Sequence, residues 1–151
     1  LMLKAQLGID HKNKRVMDAG TGTAVLAIMA SKLGAKKIEA FDIDSWSVEN
    51  GNENAEINHC TNINLQQGKI SELSFAENFE IILANINKNI LLEEMPEYAA
   101  RLNTGGKLLL SGFYENDIPD LLSIATRYDL HKVTSYARDE WACLLLEKKI
   151  H

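Results

Sequence analysis

The sequence predicts a doubly wound α/β domain. Segments of strand period and helix period alternate along most of the chain, a glycine turn stands between the first strand and its helix, and two strand-like segments close the chain with no helix between them. The alternation implies a mostly parallel seven-stranded sheet with helices on both faces. The closing pair implies a C-terminal hairpin that inserts one antiparallel strand near the sheet edge.

Leu1 to Leu7 reads as a helix, and Arg15 to Ala19 as the first strand. After the turn Gly20 to Gly22, the residues Leu26, Met29, Ala30 and Leu33 recur at helical spacing and predict one buried stripe, with Gly34 closing the helix. Lys37 to Asp42 is a second strand, and Asp44 is placed to cap a helix from Trp46 to His59. Ile63 to Gln66 is a third strand. Phe79 to Ala84 is a fourth, whose near-continuous apolar run suits burial on both faces. A helix is expected from about Leu91 to Leu102, a fifth strand over Lys107 to Ser111, and a helix over Ile118 to Tyr128 with Pro119 near its start. Val133 to Ala137 and Trp141 to Leu146 form the expected hairpin.

The 151 residues, 46% hydrophobic and 25% charged, suit one soluble globular domain. Sixteen Lys and Arg against 21 Asp and Glu give a net charge of −5, which argues against a nucleic-acid backbone as the main partner. Cys60 and Cys143 stand far apart and form no CxxC, as expected of reduced thiols in the cytoplasm. His59 and Cys60 lack a spaced partner pair, so no metal is expected. No apolar run has membrane-span length, so no membrane association is expected, and no signal peptide opens the chain. Because the sequence opens at Leu1 within a helix, it reads as a piece of a longer protein.

Ligands on such sheets sit beyond the carboxyl ends of the strands, where the strand order reverses. Asp18-Ala19-Gly20-Thr21-Gly22-Thr23 lies at one such end. Its glycines allow close backbone approach, free N–H groups at the helix start can receive a carboxylate or phosphate, and Asp18 offers an acceptor to an amino-bearing ligand. Asp42 ends the next strand, 20 residues past Gly22, where a carboxylate can accept from both hydroxyls of a ribose; Phe41 and Ile43 beside it are candidates to wall an adenine. A dinucleotide reading needs a third glycine, but Val25 stands at that position, and Asp18 would crowd a pyrophosphate. Asn85, at the end of the fourth strand, projects toward the same crevice. Asn87 is the better helix cap, which frees Asn85. His11, His59, His131 and His151 share no motif and read as surface or incidental residues.

With these residues placed, the chain resembles the class I S-adenosylmethionine-dependent methyltransferases, which have a Rossmann-like fold. Asp18 to Thr23 matches their first motif, Phe41-Asp42-Ile43-Asp44 the second, and Asn54-Ala55-Glu56-Ile57-Asn58 the helix after it. More narrowly, Leu83-Ala84-Asn85-Ile86, the run Leu102 to Leu108 with Leu110-Ser111-Gly112, and Asp139-Glu140-Trp141 resemble the catalytic domains of bacterial lysine methyltransferases that act on a large-subunit ribosomal protein. The resemblance implies S-adenosylmethionine as cofactor and a protein substrate methylated on lysine and N-terminal amines. It implies that Gly20 meets the methionine part and that Asp42 holds the ribose; Asp18, Thr21, Gly22 and Ile43 are further candidates to touch the cofactor. Asn85 would sit between cofactor and amine, with the Ile86 carbonyl helping to orient the amine. Lys69 stands where relatives often carry an acid for the adenine amino group, which leaves Ile70 to supply a backbone contact. The family also carries an upstream cofactor loop and a substrate-gripping domain, neither of which is in residues 1–151. A module that holds the cofactor without transfer, and a methyltransferase for another amine, are the competing readings.

Overall fold

A computed structural model describes residues 1–150; the expectation for His151 lies outside the described residues. The order is α1 (Met2–Leu7), β1 (Arg15–Ala19), α2 (Val25–Lys32), β2 (Lys37–Asp42), α3 (Ser45–Ile57), β3 (Ile63–Gln67), β4 (Phe79–Asn85), α4 (Lys88–Arg101), β5 (Leu102–Tyr114), α5 (Ile118–Ala125), β6 (Leu130–Arg138) and β7 (Trp141–Lys148). The seven strands form one sheet in the order β3-β2-β1-β4-β5-β7-β6. β1 pairs in parallel with β2 and β4, β2 with β3, and β4 with β5; β7 runs antiparallel to both β5 and β6. The predicted architecture and its single reversed strand are both present.

Alternate residues of the central strands feed two cores, as the period of two requires. Met17, Ile82, Leu108 and Leu110 face Leu91, Met95 and Tyr98 of α4 and Leu121 of α5. Val16, Ile81, Leu83 and Leu109 face Met2 and Ala5 of α1 and Ala24, Ala27 and Ala30 at α2. Those three alanines are fully buried, whereas Leu26, Met29 and Leu33 of the expected stripe are only half-buried. Methyl-sized contacts let α2 lie close against Val16 and Ile38, so the small residues and not the large ones mark its inner face.

β5 is much longer than the expected Lys107–Ser111. The pair Gly105-Gly106, which precedes the expected strand, lies inside the observed one, where the β4–β5 register shifts between Phe79 and Ile81. Glycine absorbs that irregularity within the strand. At its other end β5 runs on past β4 because β7 supplies partners, Ala142 for Phe113 and Trp141 for Tyr114.

His11 is buried, contrary to expectation. Its Nδ1 lies 2.8 Å from the Ile9 carbonyl and its Nε2 lies 3.3 Å from Nε2 of the buried Gln6, which also donates to the Leu26 carbonyl. The ring therefore joins α1 to the entry of β1, and burial pushes its pKa below the usual histidine value.

Candidate active site

β2 follows β1 to one side of the sheet and β4 lies on its other side, so the strand order reverses at β1. The crevice expected at such a point opens between the carboxyl ends of β1 and β4. Three backbone positions in the loop leaving β1 are left-handed: Gly20 (φ 65°), Gly22 (φ 57°) and Ala24 (φ 69°). The first two explain the glycines, since L side chains rarely adopt this region. Gly20 has a second reason. A Cβ there would lie 2.9 Å from the Ile86 side chain, which crosses from the end of β4.

The loop is held from both sides. The Thr21 amide donates to the Phe41 carbonyl at 2.9 Å, and the Gly22 amide donates to Asp42 Oδ2 at 2.9 Å. The second Asp42 oxygen accepts from the Asp44 amide at 3.0 Å. The carboxylate is thus fixed at the end of β2, and each oxygen keeps a lone pair for a further donor. Asp44 caps α3 as predicted, accepting from the Trp46 amide at 3.0 Å. Below the loop, Thr21 Oγ1 donates to Asp18 Oδ2 at 2.6 Å. Asp18 is 1% exposed, and its Oδ1 has no hydrogen-bond partner. Burial pushes its pKa up to about 7, against the Thr21 hydroxyl and the Ala27 amide, while the charge of Asp42 adds to the rise.

Ile43 and Trp46 stand well exposed beside Asp42, whereas Phe41 turns into the core toward Phe75, so only Ile43 of the two expected wall residues is open. Gly68 is tied to the end of β2 through its amide and the Asp42 carbonyl at 2.9 Å. Ile70 follows with its side chain buried and its carbonyl accepting from Arg101 Nη2 at 3.3 Å.

On the far side, Asn85 ends β4 in register with Ser111 and is exposed. The Ile86 amide donates to the Ser111 carbonyl at 3.1 Å, and Asn87 Oδ1 accepts from the Ile90 amide at 3.1 Å, so Asn87 caps α4 and leaves Asn85 to the crevice. The fold therefore brings Asp18, Gly20, Thr21, Gly22, Asp42, Ile43, Asn85 and Ile86 to one end of three adjacent strands, with Ile70 beneath the β3 side. Two contributors were not anticipated. Gly112 (φ 98°) lies so close to the Ile86 backbone that a Cβ would fall 2.4 Å from the Ile86 oxygen; a lone Ser-Gly after an apolar strand was the signal. Asn54 of α3 donates to the Thr23 carbonyl at 2.9 Å, invisible without knowing that α3 packs beside the loop.

The donor and acceptor set fits a nucleoside with an amino-acid tail: left-handed glycine backbone, an acid at the end of the neighbouring strand and an open apolar residue beside it. Among the described residues no cluster of His, Cys, Asp and Glu is arranged to hold a metal, and no helix is long and apolar enough to cross a membrane.

Solved structures that share this arrangement include methyltransferases. A ribosomal protein L11 methylase from Lactobacillus delbrueckii subsp. bulgaricus superposes with a TM-score of 0.91 at 29% identity, over 99% of this chain and 78% of that one. A methyltransferase from Pyrococcus furiosus, at 21% identity and a TM-score of 0.83, over 99% of this chain and 80% of that one, shares the fold. The class is thus the methyltransferase α/β domain. Curated relatives narrow it: the ribosomal protein L11 methyltransferase of Porphyromonas gingivalis is 45% identical over 144 residues, 95% of this chain and 50% of that protein, and that of Phocaeicola vulgatus is 41% identical over 138 residues, 91% of this chain and 49% of that protein. The model of the ribosomal protein L11 methyltransferase family (PrmA) matches residues 1–149, and the chain belongs to that family. It spans about half the length of the curated relatives it matches.

Proposed function

We propose that this domain binds S-adenosylmethionine across the ends of β2, β1 and β4 and directs its methyl group to an amine of a protein substrate, specifically lysine and N-terminal amines of a large-subunit ribosomal protein. The observation that supports this reading is the link between Gly22 and Asp42, which holds a carboxylate at the end of β2 and the glycine backbone beside it in one unit. Gly20, Thr21 and Gly22 would face the methionine part, Asp42 the ribose, Ile43 the base and the Ile70 backbone its far edge. Asp18 supports the loop from below through Thr21. The cofactor, when bound, supplies an activated sulfonium methyl group; the protein supplies position and electrostatics.

A lysine amine has a pKa near 10.4 in water and must shed a proton before it can attack. Asn85 and the Ile86 carbonyl would accept hydrogen bonds from that amine and aim its lone pair, and the departing proton would go to water or to a group outside residues 1–151. Gly112 and Ser111 hold the Ile86 backbone in place. The chain acts in the cytoplasm, and residues 1–151 form the catalytic portion, with substrate gripping lying elsewhere in the relatives' longer sequences.

Calorimetric titration with S-adenosylmethionine tests the site. Asp42→Ala should weaken binding about tenfold or more, the scale of a lost charge-assisted hydrogen-bond pair. Equal affinity in the variant would overturn the assignment. Incubation with a radiolabelled methyl donor and bulk ribosomal proteins tests the substrate class, and label confined to small amines would refute it.

A further inference from the structure

Beyond Gly112, β5 continues for two residues to Tyr114, whose ring stacks on Trp141 at the start of β7. The ring centroids lie 4.5 Å apart with planes at 29°, and each residue is about half exposed. Beside the pair is a cavity of about 360 Å³ lined by Tyr114, Glu115, Asn116 and Glu140. Its walls are fixed. The Glu115 amide donates to the Glu140 carbonyl at 2.8 Å, and the Tyr114 amide donates to Asp117 Oδ2 at 2.9 Å.

Glu140 occupies the second position of the β6–β7 turn at φ 73°, after Asp139 at φ 51°. Such a turn favours Asp-Gly, and a glutamate in the glycine position is strained. Glu140 lines the cavity together with Glu115, so two acidic residues border it. Among the described residues neither Glu115 nor Glu140 has an ion-pair partner. The nearby Lys88 is engaged by Asp117 at 3.3 Å and Asp120 at 2.7 Å. Arg138 sits opposite Trp141 in the hairpin but does not line the cavity.

We propose that this cavity receives a second basic side chain of the polypeptide whose amine is methylated, and so selects substrates with a lysine or arginine two residues from the acceptor. The inference rests on the methyl-transfer reading above. Tyr114 lies two residues past Gly112, about 7 Å along the strand, and an extended peptide carries side chains i and i+2 on one face at the same spacing. With the acceptor amine at Asn85 and Ile86, the second side chain would lie along the aromatic pair, its apolar stem on the rings and its charge between the two glutamates. An acidic wall also rejects phosphate-bearing and acidic partners.

Trp141 serves as the reporter. The sequence holds two tryptophans, so Trp46→Phe leaves Trp141 as the sole indole. The probes are acetylated, amidated peptides Ala-Lys-Ala-Arg-Ala and Ala-Lys-Ala-Gln-Ala. The arginine peptide should shift Trp141 emission saturably and bind about tenfold more tightly at low salt, and the paired change Glu115→Gln with Glu140→Gln should erase that preference. Equal affinities, or a preference that survives the paired change, would overturn the inference. Titration of the methyl donor into the protein with both tryptophans separates the two readings. Donor binding without the peptide preference sinks this inference alone, whereas the preference without donor binding sinks the methyl-transfer reading and with it the identity of the occupant.

Discussion

The Thr21 hydroxyl donates to one oxygen of Asp18 across 2.6 Å, while the other oxygen of the same carboxyl is buried without a partner. The first contact holds the glycine loop down; the second makes ionisation costly, which is why the carboxyl keeps its proton up to about pH 7.

That imbalance predicts a pH dependence. Asp18 binds its proton more tightly in the folded protein, at about 7, than in the unfolded chain, at 3.8. Between those values the native state holds the extra proton, so this residue's contribution to stability falls as pH rises through the window and is level above it. Asp18→Asn, which preserves the acceptor for Thr21, removes the effect. Urea unfolding should show the variant gaining on the parent by about 2–3 kcal/mol between pH 5 and pH 8. A constant offset at both pH values would contradict the assignment.

His11 predicts the opposite slope. Its pKa is lowered by burial, so it stays neutral in the folded protein while the unfolded chain takes up a proton below its ordinary value of 6.5. Stability from this residue is present above that value and is lost as pH falls toward the folded-state pKa. Melting curves of the parent should drop between pH 7 and pH 5 relative to those of His11→Gln. At pH 7, His11→Ala should cost about 1–3 kcal/mol, since it strips the buried Ile9 carbonyl and Gln6 amide of a partner.

Two glycines of one strand should differ in their tolerance of alanine. Gly112 and Gly105 are both left-handed, at φ 98° and 85°, but only Gly112 faces an obstacle, the Ile86 oxygen at 2.4 Å; nothing lies within 4 Å of a Cβ at Gly105. Gly105→Ala should cost about 1 kcal/mol from backbone strain alone. Gly112→Ala should cost about 3 kcal/mol or more and displace Ile86. Equal losses in denaturant titrations would mean that the approach to Ile86 is not tight.

Asn85→Ala should lower methyl transfer by about a hundredfold, the scale of a lost orienting or charge-stabilising contact, and change donor affinity by no more than a few fold. Asn85 is exposed and caps no helix, so the fold should persist. Near-parent turnover in a labelled-methyl assay would remove it from the reaction.

Strand positions were legible because the apolar runs of β1, β4 and the hairpin have no helical alternative at their length. Asp44 and Asn87 were readable as caps because a capping side chain acts on its own neighbours in sequence. What escaped depends on distant partners. The burial of Ala27 over Met29 is decided by how closely α2 approaches β1 and β2, and the length of β5 by the presence of β7. His11 shows no local pattern because Gln6 and Ile9 acquire their meaning only once α1 docks. Asp42 was read as a ribose acceptor, but its bond to Gly22, 20 residues away, is a property of the assembled sheet.

The reversed strand also constrains how the protein can be made. β7 follows β6 in the sequence, yet it occupies an interior place between β5 and β6. On a growing chain β6 has nothing to pair with, and β5 presents bare amides and carbonyls along one edge. A nascent chain stalled before Trp141 would therefore be an adhesive, open-edged intermediate, the kind of species that chaperones hold and proteases clear.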